Sequence, residues 1–362
     1  MFGSLVLLPS AFLLFMVFIT GETVMNVNNP ISPKEYQAKI RAGFSTNWFK
    51  SKSPQKKYSE QNIIDVHEKG FRNLRLRCRA DLYSYNYSAV NFTWFLGNLT
   101  TVVDYCLKHD VIPIISWIHH QAEACAMKED FIAYVDLWTA VAKQLKDKDY
   151  RLSFNLFTEL GKDTCKRNNK SSESLRKKTH KYNIWTRNVT KAIRKTGGNN
   201  AQRILILGSP GKTAKDLSKI DKKIYKNDSY MMAEWHIYAS GPNKVLGSKK
   251  YWSDNGTSGG RNNVKTAIKQ ATDYTKKYDL LTYLGAWMPQ DNENGSITES
   301  EAINFARFFV AELGKVNIPW SFNVLDRYYN TTNKTWLTGY QEIQKRKLNM
   351  SMILDNIREL MP

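Results

Sequence analysis

The chain has 362 residues, 42% hydrophobic and 12% aromatic, with 53 Lys and Arg against 33 Asp and Glu for a formal net charge of +20. So much apolar and aromatic material excludes disorder as a whole-chain description, and the length fits one large barrel-type domain or two ordinary ones. Four cysteines are too few for a disulfide scaffold, and the positive balance speaks of anionic partners or surroundings, with no bearing on fold.

From the N-terminus, Leu5 to Ile19 is an apolar run that ends at the small and polar Thr20-Gly21-Glu22. This is the pattern of a secretory signal peptide over residues 1–21, with 22–362 as the mature domain. The segment Met1-Phe2-Gly3-Ser4 lacks the usual Lys or Arg, and a short membrane anchor is the other reading, although the run falls below the roughly 20 residues a span needs. No later stretch is apolar enough for a transmembrane helix, and the C-terminal Glu359-Leu360-Met361-Pro362 offers no tail for a lipid anchor. Secretion makes Asn-x-Ser/Thr sites usable, and eleven are present: Asn86, Asn91, Asn98, Asn169, Asn188, Asn227, Asn255, Asn294, Asn330, Asn333 and Asn349. The expectation is a secreted, extracellular glycoprotein.

Short apolar runs then alternate with longer stretches of helical period. The strand candidates are Ala42 to Ser45, Leu74 to Leu76, Val111 to Trp117, Leu152 to Phe157, Arg203 to Leu207, Met231 to Tyr238, Leu280 to Ala286 and Pro319 to Asn323. Amphipathic stretches such as Asn98 to His109, Phe131 to Lys146, Tyr182 to Thr196 and Glu299 to Gly314 lie between them. Eight β/α units with no interdomain linker predict a single-domain α/β protein, a (β/α)8 TIM barrel. Chemistry in such a barrel sits on loops after the C-terminal ends of the strands. That directs attention to Asn47-Trp48, Arg75 to Arg79, His119-His120, Thr158-Glu159, His236 and Tyr238, Ala286-Trp287, and Trp320 to Asp326.

The residues at these strand ends resemble glycoside hydrolase family 5, the cellulase-like retaining β-glycosidases, from about Gly43 to the C-terminus. Gly70-Phe71-Arg72-Asn73-Leu74-Arg75 is similar to the family's Gly-Phe-x-x-Val-Arg strand, whose Arg faces the nucleophile. Trp117-Ile118-His119-His120 is similar to the histidine pair of strand three, and Phe157-Thr158-Glu159 stands in the place of the Asn-Glu that carries the acid/base. Thr196-Gly197-Gly198-Asn199-Asn200-Ala201 is similar to a segment common before strand five, His236-Ile237-Tyr238 to the strand-six His-x-Tyr, and Ile318-Pro319-Trp320-Ser321-Phe322 to the start of strand eight. The resemblance implies two carboxylates about 5 Å apart, one a general acid/base and one a nucleophile that forms a glycosyl-enzyme intermediate. The acid must be protonated near the working pH, which a neighbouring negative charge favours. On this basis Glu159 is the catalytic acid/base, and Arg75, His119, His120, Thr158, His236, Tyr238, Trp287 and Trp320 are the substrate-binding candidates, the histidines and Tyr238 holding polar groups and aromatic rings stacking on sugars.

The departures carry as much information. Where the family has Gly-Glu at the end of strand seven, this chain reads Leu284-Gly285-Ala286-Trp287, so the nucleophile's position is expected to hold Ala286. Deleting a nucleophile that acts within a catalytic unit costs on the order of 10^6 in kcat. The Asn before the acid/base is Thr158, and a Trp later in strand eight corresponds to Asn323. The reading is a glycoside-hydrolase-like protein that recognises β-linked glycans with impaired hydrolysis; the alternative is an active β-glucanase that uses a substitute carboxylate or an inverting mechanism. Asp291 and Glu293 are loop candidates for that substitute, while Glu234, two residues before His236 on the same strand face, is expected to pair with Arg75 or Arg77. Because Arg75, Arg77 and Arg79 share a strand face, a pocket for an anionic sugar is a further possibility.

Cys125 and Cys165 fall in adjacent loops, so a disulfide between them fits an oxidising compartment; pairing of Cys78 with Cys106 is less supported, and sequence allows three connectivities. Gly208-Ser209-Pro210-Gly211-Lys212-Thr213 lacks the spacing of a phosphate-binding loop, His67, His109 and His180 are scattered, and no His/Cys/Asp cluster has metal spacing, so no cofactor, metal or nucleic-acid partner is expected. Seven sequons map to the cleft face, with Asn294, Asn330 and Asn333 beside strands seven and eight, favouring a pocket over a long open groove. Finally, residues 160–226 hold 19 Lys and Arg against four Asp and Glu, a basic flank expected to dock on an anionic surface such as a sulfated cell-surface glycan.

Overall fold

The computed structural model describes residues 29–79, 81–84, 89–158, 160, 164–167, 173–237, 251–290, 297–343 and 346–361. The expected signal segment, and with it any boundary near residue 21, lies outside them. Eight parallel strands close into a barrel in sequence order: β1 (Ala42–Thr46), β2 (Asn73–Cys78), β3 (Ile112–Trp117), β4 (Ser153–Leu156), β5 (Leu205–Gly208), β6 (Met231–His236), β7 (Thr282–Trp287) and β8 (Trp320–Asn323), which pairs back to β1. The (β/α)8 expectation holds strand by strand. Every strand residue is buried, as a sheet covered on both faces requires, and this is why each reads as a nearly continuous apolar run.

Among the described residues ten helices accompany the strands: α1 (Pro33–Ile40), α2 (Glu60–Glu68), α3 (Asp81–Ser84), α4 (Ala89–Lys108), α5 (His120–Cys125), α6 (Lys128–Gln144), α7 (Thr179–Lys195), α8 (Ser258–Tyr278), α9 (Glu299–Gly314) and α10 (Met350–Arg358). Their starts are written locally. Ser32 with Glu35, and Thr298 with Glu301, form reciprocal capping boxes that satisfy the first free amides of α1 and α9. Two short hairpins, Tyr329–Asn330 with Thr335–Trp336 and Tyr340–Ile343 with Arg346–Asn349, follow the barrel and have no counterpart in the sequence expectations.

Two packed layers result. The larger lies between strands and helices, and a smaller one fills the lower barrel, where Ile112, Ile114, Ile206, Met232 and Tyr283 meet Tyr36 and Ile40 of α1. Helix α1 thus plugs the N-terminal end of the barrel, with the Tyr36 hydroxyl donating to Ser153 Oγ at 2.6 Å. Above this plug Asn73 crosses the interior, donating to the carbonyls of Ile40 at 2.7 Å and Trp320 at 3.1 Å and accepting from Ser321 Oγ at 2.6 Å. It fits because β1 offers Gly43 there: a Cβ would overlap the Asn73 carbonyl oxygen and side chain. The Gly43→Ala variant is therefore expected to lose about 1–3 kcal/mol of stability by overpacking, read as a lower urea midpoint with an unchanged slope; an unchanged midpoint contradicts this account of the Asn73 layer.

Candidate active site

The upper barrel interior is polar. Arg75 of β2 is fully buried, and its guanidinium reaches three other strands or strand ends. Nε donates to Asn155 Oδ1 at 3.2 Å, Nη1 to Ser45 Oγ at 3.2 Å and Nη2 to Glu234 Oε1 at 3.0 Å, with the Thr158 hydroxyl against Nη2 as well. Glu234 of β6 is 1% exposed and collects the cluster's remaining donors. Thr158 Oγ1 donates to Oε1 at 2.7 Å, His236 Nε2 lies 2.5 Å from the same oxygen, and Asn155 Nδ2 donates to Oε2 at 3.2 Å. Ser116 Oγ holds Asn155 in turn, at 2.9 Å.

The electrostatics follow from this arrangement. Burial acts to raise the Glu234 pKa, but the charges of His236 and Arg75 and the hydrogen bonds from His236 and Thr158 outweigh it, so the carboxyl titrates below its ordinary range. It is an anion at neutral pH, and three donors occupy its Oε1. Beside it, β7 carries Gly285: a Cβ on Gly285 would overlap Glu234 Oε1, so the carboxylate fills the space a side chain would take. Ala286 follows, fully buried and opposite His236 in the strand pairing, where the register of β6 and β7 shifts.

Of the residues expected from sequence, Arg75, Thr158 and His236 thus converge on one cluster. His119 and His120 stand at the end of β3, half-buried, where Glu123 of α5 holds them: its Oε1 accepts from the His119 amide at 3.2 Å and from the Tyr134 hydroxyl at 3.2 Å, and its Oε2 lies 3.5 Å from His120 Nδ1. Glu159 and Tyr238 lie outside the described residues, as do Asp291 and Glu293. Two residues depart from expectation. Trp287 is fully buried among Phe305, Phe309, Trp320 and Phe322, and Trp320 among Phe71, Trp287 and Phe322, so both rings fill the layer between strands and helices and neither presents a face to a sugar. For Trp287 the cause is the irregular register of β7 between Leu284 and Trp287, which turns its side chain outward. Trp320 opens β8 at its lower end, its amide donating to the Arg41 carbonyl.

Arg77 is 4% exposed and turns to β1, donating from Nε to the Thr46 carbonyl at 3.3 Å and from Nη2 to Asn47 Oδ1. There a cavity of about 330 Å3 opens at the rim, lined by Asn47, Trp48, Lys57, Asp326, Tyr329 and Leu337 among others. Sequence reasoning missed Asn155, Ser116 and Glu123. The first was findable: Ser153 and Asn155 alternate with Phe154 and Leu156 in β4, which marks an inward polar stripe.

Cys125 and Cys165 are disulfide-bonded, their Cα atoms 4.6 Å apart, whereas Cys78 and Cys106 are separate buried thiols. The bond ties the loop after β4 to the end of α5 across 40 residues of sequence, a closure worth about 4 kcal/mol in chain entropy. The same loop is held by the two-oxygen contact of Arg167 Nη2 with Asp130, at 2.6 and 2.5 Å, and by the Leu175 amide on the Glu123 carbonyl at 2.9 Å. Among the described residues no group of His, Cys, Asp and Glu could hold a metal ion, and no helix is long and apolar enough to cross a membrane.

The buried pair makes a definite pH prediction. A carboxyl whose pKa is depressed on folding adds stability above its unfolded value, near 4.3, and loses it as pH falls through the folded value. Glu234→Gln leaves Arg75 without its anion and should cost about 3–5 kcal/mol at neutral pH. The gap to wild type should narrow in acid, once the wild-type carboxyl is also neutral. Unfolding measured from pH 7 to pH 3 checks this, and a pH-independent gap contradicts it.

The family model of cellulase, glycosyl hydrolase family 5, matches residues 33–326. Endoglucanase A of Clostridium longisporum is 26% identical over 287 residues, which cover 75% of this chain and 52% of that protein, so the chain spans about half the length of this relative. A solved broad-specificity endoglucanase from the same organism superposes with a TM-score of 0.67 at 19% identity, covering 92% of this chain and 97% of the other. Its counterpart from Clostridium cellulovorans gives 0.71 at 15% identity, with 93% and 99% covered. The arginine-centred barrel mouth, the eight-stranded closed sheet and the family match over most of the chain lead to one assignment: this protein belongs to glycosyl hydrolase family 5.

Proposed function

We propose that this protein is a secreted family-5 relative that binds β-linked glycans at the barrel mouth and hydrolyses them poorly. The observation that carries this reading is where Arg75 finds its anion. In the family pattern that Arg faces a strand-seven carboxylate; here its partner is Glu234 on β6, and the strand-seven residue matched to the nucleophile is Ala286. Glu234 is no replacement nucleophile. An attacking carboxylate needs a free lone pair and an open approach, and this one has both oxygens engaged and 1% exposure. An anionic-sugar pocket centred on Arg75 loses its basis for the same reason, because the guanidinium is already neutralised.

Glycan recognition is supported by the family, by the two histidines on the rim, and by a solved relative from Prevotella bryantii. That family-5 enzyme, 17% identical with a TM-score of 0.68 and 92% of this chain covered, is described in a Glu-to-Ala variant form in complex with a xyloglucan tetradecasaccharide. Loss of one glutamate is thus compatible with holding a glycan in this architecture.

Secretion and glycosylation belong to the same proposal. Asn91, Asn188, Asn227, Asn255 and Asn333 are exposed, and the Cys125–Cys165 disulfide suits an oxidising compartment. Asn98, Asn330 and Asn349 use their side chains structurally: Asn98 accepts from the Tyr58 hydroxyl at 2.6 Å, Asn330 caps a turn, and Asn349 caps α10. These three are poorer acceptors. Asn86, Asn169 and Asn294 lie outside the described residues.

Release of aryl alcohol from an activated aryl β-cellobioside, with and without azide, tests the reading. Wild type should turn over slowly and gain from azide, which enters where a nucleophile is missing. Ala286→Glu alone should recover little, because two carboxylates in one dry site raise each other's pKa. Ala286→Glu with Glu234→Ala should recover at least about a hundredfold. Fast azide-independent turnover by wild type contradicts impaired hydrolysis. Failure to bind any β-glucan oligosaccharide by calorimetry contradicts glycan recognition.

A further inference from the structure

The excess positive charge is unevenly matched. Within the basic flank, Lys181 pairs with Glu173 at 2.9 Å, Lys219 with Asp216 at 2.7 Å and Arg187 with Asp221 at 2.7 Å, while Arg203 is fully buried beneath backbone carbonyls. Those charges are spent on the fold. A different set gathers at the N-terminal end of the barrel, opposite the mouth, around a concavity of about 580 Å3. It lies between the start of α1, the 3-10 turn Lys222–Ile224 that leads into β6, and the end of α8.

Lys34, Lys222, Lys226 and Lys277 line this groove, all are exposed, and among the described residues none makes an ion pair. Of the two acids in the lining, Asp228 is neutralised by Arg194 at 2.8 Å, which leaves Asp279 against four ammonium groups. The ammonium groups of Lys222 and Lys277 lie 4.9 and 5.4 Å from the centroid of the single Tyr278 ring. Two like charges drawn to one ring repel each other, and a bound anion lowers that cost.

We infer that this groove is a binding site for a linear oligosaccharide bearing sulfate or carboxylate groups. The site is concave and of the size of ordinary ligand sites, so it fits a chain better than a flat surface. A lipid surface is disfavoured because the exposed large apolar side chains among the described residues, such as Trp94, Ile132 and Tyr340, do not line it. Nucleic acid is disfavoured because Lys222 and Lys277 both lie within cation–π reach of the Tyr278 ring and compete with a base for it. The inference is independent of the catalytic reading, since the groove and the mouth are at opposite ends of the barrel.

The test uses the full secreted protein carrying Asn227→Gln, so that no glycan at that sequon crowds the rim. Binding of a sulfated uronate-hexosamine octasaccharide is measured by calorimetry at 0.15 M salt, with its desulfated form and phosphatidylserine vesicles as comparators. The sulfated chain should bind at least about tenfold more tightly than either, and affinity should fall steeply with salt. Replacing Lys222, Lys226 and Lys277 by Glu should weaken binding at least about tenfold, and by Gln to a smaller degree, with thermal unfolding unchanged. Glu at Lys128, Lys143 and Lys191, exposed lysines elsewhere, should change it by less than about threefold. Equal losses in the two triple variants, a preference for the vesicles, or no binding of the octasaccharide overturns the proposal.

Discussion

An arginine with no exposure, set in the middle of a barrel, must be given an anion, and in this protein Glu234 gives it one. Burying either charge alone costs several kcal/mol, and the pair is tolerated because Asn155, Thr158, His236 and Ser45 satisfy the donors and acceptors left over. Such a pair adds little net stability over apolar packing, yet breaking it is expensive. With Arg75 in place, the fold is therefore committed to a carboxylate within its reach, and the strand that supplies it decides the chemistry. A carboxylate on β7 in the family pattern is both counter-ion and nucleophile. From β6, against Gly285, it is the counter-ion of Arg75 with both oxygens engaged.

The two ends of the barrel differ in charge balance. At the mouth Arg75 and Glu234 neutralise each other, with His119 and His120 on the rim held by the buried Glu123. The lower end is plugged by α1, whose Tyr36 and Ile40 complete an apolar layer, and around that plug stand lysines without carboxylate partners among the described residues. The sequence-wide charge is thus neither uniform nor confined to residues 160–226, because Lys34 and Lys277 join from segments far away in the chain.

Most of the barrel was legible from sequence because parallel strands buried on both faces leave apolar runs that turns and amphipathic helices punctuate. Glu234 was legible too, since period-two alternation places it on the face of His236. The rings of Trp287 and Trp320 were not. A register shift in β7 reverses the alternation just before Trp287, and family position alone does not say that Trp320 and Phe322 face the helices while Ser321 reaches Asn73 inside. Helix α8 is hard to read from sequence because its start, Ser258-Gly259-Gly260, reads as a loop and its buried apolar stripe is sparse: Val264, Ile268, Ala271 and Tyr274. The groove at the lower end was invisible because its lysines come from three distant segments.

On the proposed reading, Glu234 and a glutamate at position 286 are alternatives, each able to serve Arg75 and neither compatible with the other. A double-mutant cycle in unfolding free energy measures this directly. Glu234→Ala and Ala286→Glu should each destabilise the protein, and their combination should be less destabilised than the sum by about 0.5–3 kcal/mol, the range for residues that share a partner. Strict additivity of the two changes would contradict the account.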